Sequence, residues 1–355
     1  MNTNTNPLFG RRYQLQVKAP PQNGNQTVIT ITDSAWEPEA LRITFDIQQV
    51  WWHIFWVATI CIYNPNEQLA NFLLTQGQNS TSNPSANSSG QAVPMQQGME
   101  VILTAGYQSP GHSGVIWDGY VLQPMFEREN QTDFKVTLNC IIGLNQDSRN
   151  TIGTTIGSGV YAAGIQQQEI VAAIASKAYH PISTTGTSIP SSLTKTLPRG
   201  KVVFGRPSKY LSEIARDNNM RSWLDAKGVF NMVDLNKSIP TTALVYTPTT
   251  GVVGTPVQTQ FGANVRLLLD PRVTVKNPPM AIQINNAIIR QLQKQVGDLP
   301  SSLSILSQDG VYVVIGTRYL GDTRGQEWYT DVTGWLTAAE KLAAIEAAFG
   351  VQLHS

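Results

Sequence analysis

The residues of this sequence that could catalyse a reaction are grouped between positions 322 and 331. Four charged and two aromatic side chains occur there: Asp322, Arg324, Glu327, Trp328, Tyr329 and Asp331. Two carboxyl groups beside aromatic rings could serve as the acid and the base of a glycoside hydrolase. The alternative is structural, because residues 321–325 (GDTRG) have the composition of a β-turn. We favour the turn, since the side chains after it then alternate between the two faces of a strand.

Other residue types that supply chemistry are scattered along the chain. The histidines have no cysteine, histidine or acidic residue at metal-ligand spacing; they are His53, His112, His180 and His354. No nucleophile elbow, P-loop or dinucleotide-binding pattern occurs, and the glycines of 153–164 lack the Lys-Ser/Thr of a phosphate loop. Asp118 and Glu127 have no partner that the sequence identifies. The sequence predicts no catalytic, cofactor-binding or metal-binding residue, and therefore no enzyme.

The composition is that of a protein poor in charge. Charged residues make up 14% of the 355 residues, against about 25% in typical soluble domains. The formal net charge is +1, so nothing indicates an electrostatic grip on nucleic acid or on an anionic membrane. A surface rich in uncharged polar residues suits a protein that buries much of its exterior against neighbours, and the length predicts two or three domains.

Cysteine usage and apolar runs bear on location. Cys61 and Cys140 lie in apolar or alternating runs, which favours buried free thiols in a reducing compartment, although a disulfide stays open. Residues 1–9 contain no apolar core of a secretory signal. The apolar run 50–63 is shorter than the about 20 residues that span a bilayer.

That apolar run is also rich in aromatic residues. It contains Trp51, Trp52, Phe55 and Trp56, which predicts either a strand that packs in the core or a loop that faces a partner. The core is favoured, because aromatic and β-branched residues prefer strands.

Residues 1–142 have the pattern of short strands. The segment 41–47 (LRITFDI) alternates apolar and polar residues, so one face packs and the other meets solvent. A Ser-, Asn-, Gly- and Pro-rich stretch at 76–97 predicts an exposed loop. Strands are predicted at 15–17, 28–32, 41–47, 58–63, 100–105, 114–122 and 133–141. Several short strands separated by turns are typical of an antiparallel barrel or sandwich.

Residues 143–240 mix helix and strand. Helical spacing predicts a helix over 166–179, and a Ser/Thr/Pro-rich stretch at 181–198 predicts irregular structure. A second helix is predicted over 208–218 with Ser208 as its N-cap. Residues 223–230 predict a hairpin that turns at Lys227 and Gly228.

Residues 241–355 return to β-structure. Strands are predicted at 265–269, 281–284, 311–319 and 328–333. A polar linker at 285–298 predicts a short helix. Thr337 and Glu340 form a capping box, which predicts a C-terminal helix that ends near Phe349.

The order of these segments resembles the baseplate hub proteins of contractile-tailed bacteriophages, whose β-barrels are similar to the tail-tube protein. Seven strings carry the resemblance: 41–47 (LRITFDI), 60–64 (ICIYN), 101–107 (VILTAGY), 114–119 (GVIWDG), 211–215 (LSEIA), 309–314 (DGVYVV) and 321–330 (GDTRGQEWYT). The aromatic run 51–56 and the loop 76–97 depart from that pattern.

The resemblance implies a mainly β protein with an α+β insert. A first tube-like antiparallel β-barrel would occupy 1–142, a small α+β module 143–240, and a second such barrel with the C-terminal helix 241–355. The helix and hairpin near 208–235 are similar to a LysM-type unit, which we expect to serve as a packing element.

The same resemblance implies a structural role without catalysis or cofactor. Three chains would form a homotrimer that presents six barrels and adapts the sixfold tail tube to the threefold spike. The partners would be the tail tube protein, the spike protein and the baseplate wedge proteins, with DNA only passing through the lumen and no membrane anchoring. The location would be the tail baseplate of the virion, after assembly in the cytoplasm of the host bacterium.

Two other functions compete with the hub. The first is a tail-associated peptidoglycan hydrolase that uses Glu327 or Asp331. The second is a carbohydrate-binding adhesion module, for which Trp51, Trp52 and Trp56 would form the aromatic platform.

Overall fold

The structure is a computed structural model of the chain. It describes residues 10–20, 26–33, 40–79, 98–142, 159–176, 189–190, 193–203, 207–225, 229–234, 242–292 and 306–337. The predicted C-terminal helix, the loop 80–97, the glycines 153–158, and most of 181–198 lie outside the described residues, as do Lys227 and Gly228 at the predicted hairpin turn.

The described residues are mainly β, as the sequence predicts. The first strands are β1 (Arg11–Lys18), β2 (Val28–Thr32), β3 (Ile43–Val50), β4 (Val57–Tyr63), β5 (Glu100–Tyr107), β6 (Ser113–Arg128), β7 (Phe134–Ile141), β8 (Gly159–Tyr161) and β9 (Lys201–Val203). The remaining strands are β10 (Met220–Leu224), β11 (Phe230–Asp234), β12 (Thr242–Tyr246), β13 (Val252–Thr259), β14 (Gly262–Leu268), β15 (Met280–Ile284), β16 (Gln291–Leu292), β17 (Val311–Asp322) and β18 (Trp328–Trp335). The α-helices are α1 (Glu67–Asn79), α2 (Gln167–Ser176) and α3 (Pro207–Asp217).

One sheet joins strands from both ends of the chain. Its order is β16-β13-β14-β18-β17-β3-β4-β7-β6-β5-β1-β2, and β12 is attached to β17 through β15. The join is the antiparallel ladder between β3 and β17, in which Thr44 to Val50 pair with Asp322 to Gly316. The two strand sets that the sequence places in separate regions are therefore hydrogen-bonded to each other.

The expectation of purely antiparallel pairing is wrong at two places. β12 pairs in parallel with β15, and β13 pairs in parallel with β16. In both cases other strands or loops lie between the partners in sequence, so the chain can return to the same end of the sheet before it pairs. The closed two-barrel arrangement and the domain limits 142 and 240 stay predictions.

The alternating pattern at the start of β3 is confirmed. Ile43 and Ile47 are fully buried, whereas Asp46 and Gln48 are accessible on the opposite face. The strand begins two residues later than predicted, at Ile43, and continues to Val50. Since successive strand side chains point to opposite faces, this register gives the sheet one apolar and one polar side.

Helix α1 is an element that the sequence interpretation missed. Its side-chain N-cap is Asn66, whose Oδ1 accepts a hydrogen bond from the backbone N–H of Leu69 at 2.8 Å. Leu73 of this helix is fully buried, and the helix packs against β6 and β7. The predicted loop 76–97 therefore begins too early, because α1 extends to Asn79.

The middle region contains the predicted helices and hairpin. α2 begins one residue later than predicted, the predicted residues after Ser176 lie outside the described part of the chain, and β10 pairs with β11 as the expected hairpin. Ser208 is not the N-cap of α3, because the helix already begins at Pro207. Proline is favoured in the first turn of a helix, where its missing N–H has no partner to lose. The short helix predicted in the linker is a 3-10 helix, Asn286–Ile288.

Three stacked indoles connect the β3–β4 turn to the middle region. The Trp223 ring lies between those of Trp51 and Trp56, with centroid distances of 6.1 Å and 6.2 Å and nearly parallel planes. Trp51 and Trp56 are buried, as the core interpretation predicts, but Trp52 is 51% exposed. The aromatic run is a turn between two strands instead of a strand, and it packs the middle region onto the sheet.

We expect Trp223→Ala to lower the free energy of unfolding by about 4 kcal/mol, because it removes a fully buried ring between two others. The matched control is Trp52→Ala, whose half-exposed ring should change the same quantity by less than about 0.5 kcal/mol. Guanidinium chloride unfolding followed by circular dichroism measures both. Equal losses in the two variants would contradict the packing role of the stack.

Candidate functional site

The segment 322–331 runs from the end of β17 through a turn at 323–327 into β18, which agrees with the turn that we favoured from the sequence. Asp322 is buried at the end of β17 and accepts two hydrogen bonds from Arg42, Nε to Oδ1 at 3.1 Å and Nη2 to Oδ2 at 2.7 Å. The backbone N–H of Arg324 donates to Oδ1 at 2.9 Å. Burial raises the pKa of Asp322, but the hydrogen bonds from Arg42 and from the turn amides outweigh it and lower the pKa below its ordinary value.

Arginines from other strands hold this turn through its carbonyl groups. Arg11 of β1 donates to the carbonyls of Asp322 and Gly325, at 3.2 Å and 2.6 Å. Arg324 donates from the turn to the carbonyl of Ala40 at 2.6 Å. The charged cluster therefore fastens β1, β3 and β17 at one end of the sheet.

The geometry does not favour a glycoside hydrolase. A general acid needs a raised pKa, whereas that of Asp322 is lowered. Asp331 accepts both hydrogen bonds of the Arg266 guanidinium, at 2.7 Å and 2.8 Å. Glu327 is exposed at the end of the turn.

Replacement of Asp322 by Asn should lower the free energy of unfolding by about 2 kcal/mol at pH 7, because charge-assisted hydrogen bonds to Arg42 and Arg324 are lost. The exposed Glu327→Gln should leave it within about 0.5 kcal/mol. The lowered native pKa of Asp322 means that its carboxylate stabilises the fold fully above the pKa of the unfolded chain, about 3.9. This stabilisation is lost as the pH falls through the native pKa. Urea unfolding from pH 7 to pH 2.5 should show the two variants converge in acid.

A broad polar surface covers the central strands. We call the outward side of β14, β18, β17, β3, β4 and β7 the polar sheet face. Two neighbouring rows of residues run across it in register. One row is Leu268, Tyr329, Leu320, Asp46, Thr59 and Asn139, and the next is Arg266, Asp331, Arg318, Gln48 and Val57.

The charges of this face occur as opposite-sign pairs. Arg318 donates to both oxygens of Asp46, at 2.8 Å and 2.6 Å, and Arg266 does the same to Asp331. These hydrogen bonds are the first cause of the raised pKa of each arginine. Lys135 lies 3.6 Å from Glu127 of β6. The sequence interpretation gave Glu127 no partner, since a cross-strand register is needed to find one.

The polar sheet face is concave at its centre. A cleft of about 490 Å³ lies over β3, β17, β18 and β14, and residues Thr255 and Val257 of β13 form its far wall. Its lining includes both paired arginines, together with Gln48 and Thr333. The cleft therefore offers amides, hydroxyls and paired charges to whatever passes or binds there.

The remaining candidates of the sequence do not converge. Cys61 and Cys140 are free thiols, and burial raises the pKa of Cys140. His180 and His354 lie outside the described residues. Within the described part of the chain, no group of three or more His, Cys, Asp or Glu side chains could hold a metal ion. The helices described here include none long and apolar enough to span a membrane.

Asp118, which the sequence left without a role, lies beside a second acid. Asp118 lies on β6; burial raises its pKa to about 6, and the nearby Glu100 adds to the rise. Glu100 in turn lies 3.2 Å from Lys18 of β1. The three side chains form a charged group on β1, β5 and β6, away from the turn at 323–327.

Asp118→Asn should stabilise the protein at pH 7.5 and have no such effect at pH 3.5. Because the native pKa is raised, the free-energy cost of the carboxylate is absent below the pKa of the unfolded chain, about 3.9. It grows as the pH rises from there and is complete above the native pKa of about 6. Thermal unfolding at both pH values measures the midpoint difference, with Glu327→Gln as the exposed control. A stabilisation that persists at pH 3.5 would contradict the electrostatic explanation.

A solved tail protein has a similar fold. The structure is similar to a 43 kDa tail protein of prophage MuSo2 from Shewanella oneidensis, with a TM-score of 0.52 and 8% identity over 92% of this chain and 98% of that one. A tail protein from Neisseria meningitidis MC58 matches with a TM-score of 0.48 and 11% identity, over 91% and 96% of the two chains. No curated protein matches the sequence.

The fold is therefore that of a phage tail protein. A family model described as Baseplate hub gp41 matches residues 26–288, about three quarters of the chain. The chain belongs to the Baseplate hub gp41 family. The resemblance to baseplate hub proteins that the sequence strings carry is thus confirmed, and the family is that of a structural component of the virion tail.

Proposed function

We propose that this protein is the trimeric subunit of a phage baseplate hub that adapts the sixfold tail tube to the threefold spike. The observation that carries the proposal is the β3–β17 ladder, which joins an N-terminal and a C-terminal strand set under one polar face. In this proposal each strand set is one tube-like unit, so that three chains present six units. A ring of this kind matches a sixfold neighbour on one side and keeps threefold symmetry on the other.

The proposed domains follow this division. The first tube-like unit is 1–142, the α+β module is 143–240, and the second tube-like unit with a C-terminal helix is 241–355. The tryptophan stack and the hydrogen bond from the Leu224 N–H to the Ile54 carbonyl at 2.9 Å attach the middle module to the first unit. The module then acts as a packing element beside the ring.

The polar sheet face is the surface that we assign to the DNA channel. Its outward side chains are mostly uncharged, and its ionic groups are paired across strands. The partners in the assembly are the tail tube protein, the spike protein and the wedge proteins, and the protein takes its place in the baseplate after assembly in the host cytoplasm. The role is mechanical and requires no catalytic residue or cofactor.

Size-exclusion chromatography with light scattering tests the trimer. We expect a mass of about 117 kDa, three times the 38.9 kDa of one chain, because open strand edges are satisfied when copies pack around an axis. Electron microscopy of the same fraction should show a threefold particle with six similar lobes and a central channel. A stable monomer that binds neither tail tube nor spike protein would contradict the proposal.

A further inference from the structure

The charged side chains on the six strands of the polar sheet face share one property. Within these described strands, each has an opposite-charged partner within salt-bridge distance. The charged side chains on these six strands are Asp46, Lys135, Arg266, Arg318, Asp322 and Asp331. A face that borders a cleft thus presents arginines without presenting a net positive charge.

The two arginines at the cleft are bound in the geometry that would otherwise hold phosphate. Arg266 and Arg318 each direct two parallel N–H groups at two carboxylate oxygens, at 2.6 Å to 2.8 Å. This fork is the same one that arginine uses for bidentate contact with a phosphate. Both side chains are 47% exposed, so their positions are accessible. Each carboxylate takes an Nε and an Nη2 donor and balances the charge of the guanidinium.

We infer that Asp46 and Asp331 occupy the phosphate-binding groups of Arg318 and Arg266, so that double-stranded DNA passes the polar sheet face without being retained. The inference rests on the proposed channel-lining function, and it names the residues of the polar sheet face that DNA would meet in the channel. Arg266 and Arg318 lie on the same row, one strand apart on either side of Asp331. Two strand spacings separate them by about 10 Å, so one duplex can reach both.

The physical reason lies in the strength of phosphate contacts. Each phosphate that a free arginine neutralises releases counterions, and the logarithm of the binding constant then falls with the logarithm of salt concentration by about 0.9 per contact. A channel lined by such arginines would bind the duplex that must move through it. A carboxylate on each guanidinium replaces that contact with one inside the protein.

The experiment compares full-length wild-type protein with the double variant Asp46→Asn/Asp331→Asn. The probe is a fluorescent 20-bp DNA duplex, and the readout is its anisotropy between 50 and 200 mM salt. We expect the variant to bind more tightly than wild type, with a salt slope steeper by about 1.8 for two new phosphate contacts, so that its added affinity falls about twelvefold over this range. The single variants should each steepen the slope by about 0.9, which keeps the test valid if the double variant is unstable.

Two further variants separate the position of the charges from their number. Asp33→Asn/Glu100→Gln releases Arg12 and Lys18, which belong to pairs on β1 and its neighbours, and should leave the salt slope unchanged. Adding Arg266→Gln and Arg318→Gln to the double variant should restore weak binding. Wild-type binding as strong as that of the double variant, or an equal gain in the two double variants, would overturn the inference. Light scattering on the same samples measures the oligomeric state independently of DNA binding. If no trimer forms, that result counts against the proposed function alone.

Discussion

The antiparallel ladder between β3 and β17 is the contact on which the rest of the structure depends. It joins strands that are far apart in sequence, as the ion pair of Arg318 with Asp46 across 272 residues shows. Closing such a long loop costs conformational entropy before any contact forms, so the ladder needs support from both ends. At one end Arg42 and Arg11 bind Asp322 and the turn after it, and at the other end Trp51 packs on Trp223.

Buried polar groups make this junction specific. Gln49 of β3 donates from Nε2 to the Ile116 carbonyl at 3.2 Å, and its Oε1 accepts from the Thr274 hydroxyl at 2.8 Å and from Thr317 at 3.3 Å. One amide thereby links β3, β6, β17 and the loop after β14. Because an unsatisfied buried amide is costly, these hydrogen bonds favour the observed register of β3 and β17.

The same junction determines what the surface can do. Once β3 and β17 are neighbours, Asp46 meets Arg318, and Asp331 of β18 lies between Arg318 and Arg266. Asp322 and Asp331, two of the carboxylates that resembled catalytic residues in the sequence, are partners of arginines, the first at the turn and the second on the polar sheet face. Membership in the Baseplate hub gp41 family agrees with this, because that family is a structural component of the tail.

Local chemistry alone determined much of this protein. The alternation of Ile43 to Ile47, the turn at 321–325 and the hairpin after Trp223 were all readable, since a period of two and turn residues act over a few positions. Only the tertiary structure decided that Asp331 binds Arg266, that Glu127 meets Lys135, and that three indoles stack. Those contacts depend on strand order and register, which long-range packing sets and which no short stretch of sequence encodes.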